Sequence, residues 1–200
     1  VAHEVGNIAA LELAGDFGWA GTAKGDILIS EDGGLNWEAI DSPCEGQQIL
    51  SIKASLSFDE DKTLFMGSAR PETGNRQAQV TLWRSQDAGR TWDEMTTQTT
   101  NARWVAIAMP LGVEDEEADL VQQTVLATGS YCLRPLKRVK DVWISTKVDP
   151  HEANVLDLVV LGEIDKQCDI YAASGNGIYH SEDSGRTWHQ ASEELEYTSF

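Results

Sequence analysis

Short runs of β-branched, aromatic and aliphatic residues recur along the whole 200-residue chain, and glycine, proline or small polar residues bound nearly all of them. The clearest group of runs lies in the second quarter of the chain, at residues 49–54, 63–68, 80–84 and 91–95. Each run is too short for a globular helix, and none has a convincing period of 3.6 residues. Because such runs between turn residues are typical of strands, this segment predicts four consecutive strands.

The same grouping recurs on either side of this segment. Further runs lie at residues 8–13, 18–22, 26–29, 104–109, 124–129, 141–145, 155–160, 169–175 and 177–180. The chain is therefore predicted to be all-β, with its strands in groups of four. Only residues 146–154 separate one predicted third strand from the next group, which is too few for a turn and a full strand. We expect the third group to lack a regular outer strand.

An octapeptide of the form Ser-x-Asp-x-Gly-x-x-Trp follows the third predicted strand in three of the four groups. The three copies occupy residues 30–37, 85–92 and 181–188. Their matching positions are Ser30, Asp32, Gly34 and Trp37, then Ser85, Asp87, Gly89 and Trp92, and finally Ser181, Asp183, Gly185 and Trp188. Four matched positions repeated three times indicate an internal repeat.

The residue types of the octapeptide predict a tight turn between two strands. A short carboxylate can accept hydrogen bonds from backbone N–H groups of its own turn. The glycine at the fifth position can adopt a positive φ without a steric clash. The tryptophan then begins the returning strand and offers a large apolar surface for packing. We expect these residues to build the fold, with no role in catalysis or metal binding.

The spacing of the octapeptides predicts the number of repeats. A fourth copy has decayed at Ser145, where Lys147 replaces the aspartate. Aligning this serine with Ser30, Ser85 and Ser181 gives intervals of 55, 60 and 36 residues. The mean, about 50 residues, fits a four-stranded propeller blade. We predict a single segment, residues 1–200, with blades at approximately 6–45, 46–100, 101–153 and 154–200.

The octapeptide resembles the Asp-box, or BNR, repeat. That repeat occurs in sialidases, xyloglucan-cleaving glycoside hydrolases, sortilin-type receptors and photosystem II assembly factors, and residues 55–68 look like bacterial BNR proteins of unassigned function. The resemblance implies a β-propeller of four-stranded antiparallel blades, and it implies the fold far more strongly than the function. Since propellers of this family usually have six to ten blades, about four blades imply a partial or half propeller. Such a segment would belong to a longer chain or pair with a second copy to close a ring.

The charge of the chain limits the classes of molecule that it can bind. The net charge is −18, from 33 acidic and 15 basic residues. A field of this sign repels phosphate backbones and anionic lipids, so we expect no nucleic-acid partner. The longest nearly apolar run, residues 155–161, is too short to cross a bilayer. The first residue is Val1 and no leader pattern is visible, so a cytoplasmic location and export after removal of a leader both remain open.

The three cysteines, Cys44, Cys132 and Cys168, form neither a CxxC pair nor a disulfide framework. We expect small buried thiols, with one disulfide in an exported protein as the alternative. The acidic segment 113–119 offers oxygen ligands for Ca²⁺ but lacks an EF-hand pattern. We therefore predict no metal site and no cofactor.

Basic residues are concentrated in two segments that the strand pattern assigns to loops between second and third strands. Four of the 15 basic residues lie within seven positions of one of these segments. Loop tips on a rigid scaffold often carry function, so the two loops predict a docking site for an acidic protein or an anionic ligand. A solvated loop that offsets nearby acids is the alternative. The candidate residues are Arg70, Arg76, Tyr131, Arg134, Lys137, Arg138 and Lys140.

The resemblance also raises an enzymatic alternative. A sialidase needs three arginines from separate blades, yet the Arg-Ile-Pro motif is absent and the arginines follow no recognisable order. A pair of aspartates across a cleft, as in xyloglucanases, stays open. Aromatic side chains would favour glycan binding, but Trp19, Trp83, Trp104 and Trp143 all fall in predicted strands, where core packing explains them. We expect a non-enzymatic binding or assembly module, with a glycan-acting or glycan-binding propeller and a purely structural segment as alternatives.

Overall fold

A computed structural model describes residues 6–74, 77–100, 104–111, 124–135, 142–164 and 167–191. In these residues the chain forms seventeen strands and one four-residue helix, α1 (Phe58–Asp61). The chain divides into two compact units, Val1–Ile107 and Ala108–Phe200. The prediction of an all-β chain is confirmed, and α1 adds a single helical turn between two strands.

The first unit contains two four-stranded sheets in which each strand pairs antiparallel with the next. The strands of the first sheet are β1 (Ile8–Ala14), β2 (Phe17–Thr22), β3 (Ile27–Ser30) and β4 (Glu38–Ile40). Those of the second sheet are β5 (Gln48–Ala54), β6 (Leu64–Arg70), β7 (Gln79–Ser85) and β8 (Asp93–Thr99). Helix α1 lies in the connection between β5 and β6.

The two sheets of this unit share one hydrophobic core. Strand β6 buries six consecutive residues, as expected of a strand covered on both faces. The core cluster combines Trp19 and Ile27 of the first sheet with Ile49 and Leu64 of the second. All four side chains are fully buried. The packing of one sheet on the other therefore stabilises both.

Trp19 occupies the centre of this core. Its ring lies 4.8 Å from that of Phe58 and 5.8 Å from that of Phe17. Its Nε1–H group donates a hydrogen bond of 2.9 Å to the carbonyl oxygen of Ala88, within the second octapeptide turn. The buried indole thus satisfies its only donor and ties the first sheet to the turn of the second.

The remaining strands form two more sheets. The third sheet has β9 (Val105–Ala108), β11 (Val125–Thr128), β12 (Tyr131–Pro135) and β13 (Trp143–Lys147), in that spatial order. In the fourth, β14 (Val155–Leu161), β15 (Asp169–Ser174), β16 (Gly177–Ser181) and β17 (His189–Gln190) pair antiparallel in succession. The short strand β10 (Pro110–Leu111) adds to this sheet, parallel to β14.

The third sheet contradicts two sequence-based expectations. Its third strand is β12, in the segment assigned to a long loop, and residues 143–147 form a regular outer strand. The reason is a two-residue turn: Thr128 pairs with Tyr131, and Gly129 has a φ of 57°. Ser145 therefore lies on the outer strand, and the alignment of Ser145 with the octapeptide serines was wrong.

Two strands leave rows of apolar side chains exposed. On β1 these residues are Ile8, Leu11 and Leu13, which are 52%, 59% and 59% exposed. On β14 they are Leu156, Val159 and Leu161. Apolar rows of this kind are typical of surfaces that another protein element covers.

Candidate functional site

The three octapeptide turns share one network of hydrogen bonds. In the second turn, the hydroxyl of Ser85 donates to Asp87 at 2.8 Å and accepts the N–H group of Gly89 at 2.8 Å. The other carboxylate contacts come from Thr91, whose N–H and hydroxyl groups donate to Asp87 at 2.8 and 2.6 Å. The same contacts recur around Asp32 and Asp183, with Asn36 and Thr187 as the donors.

The backbone of the turns needs two successive residues with positive φ. The glycine at the fifth position has a φ of 79–89° in all three turns, as the sequence predicted. The residue before it also has a positive φ, and here the turns differ in sequence: it is Gly33, Ala88 or Ser184. Because left-handed backbone costs a non-glycine residue about 1–2 kcal/mol, the hydrogen bonds of the turn must offset this strain.

The aspartate of each turn is held in its ionised form. Hydrogen bonds from the Asn36 side chain and backbone lower the pKa of Asp32 to about 2. For Asp87 and Asp183, burial acts to raise the pKa, but donors in the turn outweigh it and lower the pKa overall. A carboxylate in this environment stabilises its turn and is a poor proton donor at neutral pH.

The lowered pKa predicts how stability changes with pH. Because the folded pKa of Asp32 is below that of a free aspartate, the stability it contributes is present above about pH 4 and lost as the pH falls through about 2. We expect Asp32→Asn to flatten this part of the stability profile. Urea unfolding at pH 2, 3, 4 and 7 measures it, with exposed Asp41→Asn as the control. A variant that retains the wild-type acid dependence would contradict the assignment.

The structure places few of the predicted docking residues on an open surface. Tyr131 begins β12 and is 44% exposed. Arg70 ends β6, where it is half-buried and donates a hydrogen bond to Gln79 of the neighbouring strand. Arg134 is inside β12 and only 7% exposed, so the prediction of an exposed docking residue was wrong there. The other four candidates, Arg76, Lys137, Arg138 and Lys140, lie outside the described residues.

Arg134 is buried beside the third octapeptide turn, where a Cβ atom at Gly185 would lie 3.6 Å from the Cδ atom of the arginine. Burial, together with the nearby charge of Arg186, lowers the pKa of its guanidinium group. Its Nε–H group has no hydrogen-bond acceptor among the described residues. A buried, positively charged side chain on a central strand contributes to the interior of the blade and not to a docking surface.

The connection between β12 and β13 gives the basic segment a new position in the topology. Since β12 is the third strand and β13 the fourth, Lys137, Arg138 and Lys140 belong to the connection that the other three sheets make with an octapeptide turn. The prediction that these residues precede the third strand was wrong. Three blades therefore carry an aspartate-centred turn at this connection, and one carries a basic segment instead.

A shallow groove lies beside the first octapeptide turn. It has a volume of about 420 Å³, and its lining residues are Ile29, Glu31, Asp32, Asn36, Trp37 and Glu38. Trp37 is 37% exposed, so an aromatic face and several carboxylates share this groove. Exposed Glu31 accepts a hydrogen bond of 2.6 Å from Arg90 of the second turn. The groove thus combines an aromatic face with a negative charge.

The tryptophans outside the turns differ in burial. Trp19 is fully buried, as expected, while Trp83 and Trp143 are half-buried. Trp104 precedes β9 and is 46% exposed, so core packing does not explain it. The three cysteines are buried free thiols, and burial raises the pKa of Cys44 to about 11 and that of Cys132 to about 12. These thiols are unreactive at neutral pH.

Several solved structures are similar to this chain. The match to a structure of YCF48 bound to a D1 peptide covers 92% of this chain and 52% of the YCF48 chain, with a TM-score of 0.54 and 15% identity. The match to YCF48 from Cyanidioschyzon merolae covers 94% of this chain and 60% of that protein's chain, with a TM-score of 0.51 and 17% identity. The match to the GH74 enzyme of Niastella koreensis covers 88% of this chain and 29% of the enzyme, with a TM-score of 0.52 and 15% identity. The chain thus spans 52% and 60% of the two YCF48 chains.

These similarities show the fold alone, because the identities are low. Together with the four antiparallel sheets, they confirm the prediction of β-propeller blades with four strands each. No family model matches the chain, and no curated protein sequence matches it significantly. Within the described residues, no helix has the length and apolar character needed to span a membrane.

Proposed function

We propose that this chain is a non-enzymatic binding module whose third blade docks an acidic segment of a partner protein. The observation that carries the proposal is the connection between β12 and β13. In the sequence, Lys137, Arg138 and Lys140 fall between these two strands, and the corresponding connection of the other blades contains an octapeptide turn. We call this segment the basic connection. In a chain with a net charge of −18, a positive segment at the end of a rigid sheet attracts and orients an acidic partner.

We also propose that the octapeptide turns are Asp-box repeats. The network of Ser, Asp and backbone N–H groups that recurs in the three turns supports this, because its side-chain hydrogen bonds all involve residues of the motif itself. The four blades then extend over approximately residues 6–45, 46–100, 101–153 and 154–200. In this arrangement the turns serve as scaffold, and the connection that departs from the repeat carries the function.

A protein partner is supported by one of the similar structures. YCF48 holds a D1 peptide, so a propeller with this type of blade can bind a peptide segment. The charges for an acidic peptide would come from Lys137, Arg138 and Lys140, which follow β12 in the sequence. Tyr131 begins β12, at the far end of the strand from this connection, and is not part of the proposed docking surface.

The ionised aspartates support a role other than catalysis. A glycosidase needs one carboxylic acid whose pKa is raised. In the described part of the chain, every carboxyl group with a clear shift has its pKa lowered, namely Asp32, Asp87, Asp149 and Asp183. The three turn aspartates accept hydrogen bonds within their own turns, and Asp149 accepts them from Ser174 and Asn176 of the fourth sheet, as expected of groups that stabilise a fold.

Charge reversal in the basic connection tests the proposal. A fluorescein-labelled polyglutamate peptide serves as the probe, and its anisotropy reports binding to the full chain at low and at physiological salt. We expect Lys137→Glu combined with Arg138→Glu to weaken binding by about tenfold, because two attractive charges become repulsive. The affinity of the wild-type chain should also fall as salt increases.

The matched control is Lys24→Glu combined with Lys53→Glu, which changes the net charge equally at two exposed lysines of the first unit. This control should retain most of the wild-type affinity. Equal losses in both double variants would mean that the peptide senses only the net charge. That result, or no binding to the wild-type chain, would overturn the proposal.

A second candidate, glycan binding, is favoured by the groove at Trp37. Sugar rings stack on exposed aromatic faces, and the groove adds carboxylates and the amide of Asn36 as hydrogen-bonding groups. A neutral oligosaccharide that binds the wild-type chain but not Trp37→Ala, with no polyglutamate binding, would favour this candidate. Pairing with a second copy to close a ring, the alternative to a longer chain, stays a prediction.

A further inference from the structure

Two histidines and one glutamate lie together on the fourth sheet, at the base of its octapeptide turn. His180 is on β16, His189 is opposite it on β17, and Glu182 is the second residue of the turn. One ligand atom from each of the three side chains lies within 4.8 Å of the other two. His180 is half-buried, while Glu182 and His189 are exposed. All three side chains can therefore reach one point at the surface.

A fourth side chain orients the first histidine. The Nε2–H group of His180 donates a hydrogen bond of 2.8 Å to Asp169 on β15. Because an ionised carboxylate can only accept, Nε2 carries the proton, and in the neutral ring Nδ1 keeps its lone pair. Nδ1 lies 4.0 Å from a carboxylate oxygen of Glu182. The ring of Tyr171 stacks on His180 at 4.2 Å and an angle of 5°, which fixes the imidazole plane.

We propose that this cluster is a binding site for a divalent transition-metal ion, with Zn²⁺ as the best match. The ligands are Nδ1 of His180, a ring nitrogen of His189 and the carboxylate of Glu182. Imidazole and carboxylate are ligands that Zn²⁺ accepts, and three protein ligands leave a coordination position open. Asp169 is a positioning residue, since a carboxylate behind a ligating histidine orients the ring and raises its basicity.

The geometry requires only a small adjustment. Ligand atoms about 2.0–2.1 Å from a tetrahedral ion are about 3.4 Å apart, which is shorter than the 4.0 Å between Nδ1 of His180 and the carboxylate of Glu182. The two exposed side chains, Glu182 and His189, can rotate to close this gap while His180 stays in place. His180 is thus the fixed ligand of the site, because Asp169 and Tyr171 already hold its ring in place.

The other blades show that this arrangement is not a requirement of the turn. The strand residues that flank the turn form a cross-strand pair in each of the three sheets. These pairs are Ile29 with Glu38, Arg84 with Asp93, and His180 with His189. The second pair is an ion pair of 3.8 Å, so folding of the turn does not depend on histidines at these positions. The two histidines therefore need an explanation specific to the fourth blade, and a bound metal ion supplies one.

Calorimetric titration of the metal-free full chain with ZnCl₂ tests the proposal. We expect one ion per chain, with a dissociation constant of about 1 µM or lower. His189→Gln and Glu182→Gln should weaken binding by more than about 100-fold, and both change exposed side chains, so the fold should persist. Asp169→Asn should weaken binding by about 10–100-fold, as expected of a residue that acts through His180.

The matched control changes the two histidines elsewhere in the chain, in the variant His3→Gln with His151→Gln. This variant should bind Zn²⁺ as the wild-type chain does. Imidazole ¹⁵N shifts add a direct reading of the ligand atom, since Zn²⁺ should shift Nδ1 of His180 far more than Nε2. Three results would overturn the proposal: no binding at one ion per chain, wild-type affinity in His189→Gln, or equal loss in the control variant.

Discussion

Replacing Trp19 with alanine is expected to lower the free energy of unfolding by about 3–5 kcal/mol, the usual cost of removing a large aromatic side chain from a core. Trp19 is fully buried and packs against Phe17 and Phe58. Its removal leaves a cavity between two sheets and deprives the carbonyl group of Ala88 of its donor. Urea unfolding followed by circular dichroism measures the effect as a lower midpoint for the first unit.

Two further variants separate the contributions to this loss. Trp19→Phe keeps an aromatic ring but removes the donor to Ala88, so it should be intermediate between the wild type and Trp19→Ala. Leu35→Ala removes an apolar side chain that is 83% exposed, and the change should be within about 0.5 kcal/mol. A Trp19→Ala variant as stable as Leu35→Ala would show that this core does not hold the two sheets together.

Replacing Gly25 with alanine should lower the free energy of unfolding about as much as Trp19→Ala does, although it adds a single methyl group. The backbone of Gly25 has a φ of 96°, and a Cβ atom there would lie 2.0 Å from the carbonyl oxygen of Cys44. The obstacle is backbone and cannot rotate away, so the chain between β2 and β3 must move. Strain from the φ angle and overpacking together predict that the free energy of unfolding falls by about 2–6 kcal/mol.

Gly46 provides the matched control. Its φ of 72° is also positive, but a Cβ atom at this position would have no neighbour within 4 Å. Gly46→Ala should therefore lower the free energy of unfolding only by the cost of left-handed backbone, about 1–2 kcal/mol. The difference between the two variants, measured by urea unfolding, isolates the clash with Cys44. Equal losses in both would contradict the close approach at Gly25.

The octapeptide turns were predictable from sequence because their chemistry is local. The side-chain hydrogen bonds of each turn join residues no more than four positions apart, and the fifth-position glycine indicates the positive φ. The sequence did not reveal that Ala88 and Ser184 also adopt left-handed backbone, since neither residue type favours it. Nor did it reveal that the serine hydroxyl accepts the glycine N–H group.

The third blade was harder to predict because its turn is short and its strand is basic. Residues 131–135 contain an arginine and a proline, which are poor indicators of a central strand. The two-residue turn at Gly129 and Ser130 was the available signal, because a glycine between two β-type runs predicts a hairpin. Burial of Arg134 depends on the octapeptide turn at Gly185, which is about 50 positions away, and no local pattern reports such packing.

The histidine cluster could be found only through strand register. His180 and His189 are nine positions apart, and they face each other because the turn between them sets the pairing of β16 with β17. Asp169 comes from a third strand, so its contact with His180 is not visible in the local sequence. A histidine on each side of an octapeptide was the usable clue, once the turn was known to close a hairpin.

The octapeptide turn also explains how blades of one chain can differ in chemistry. The side-chain hydrogen bonds that close the turn all involve its own eight residues, so the flanking positions can differ from one blade to the next. One blade has an isoleucine and a glutamate at these positions, another an arginine and an aspartate, and a third two histidines. Selection can therefore change the chemistry of one blade without changing the turn that folds it.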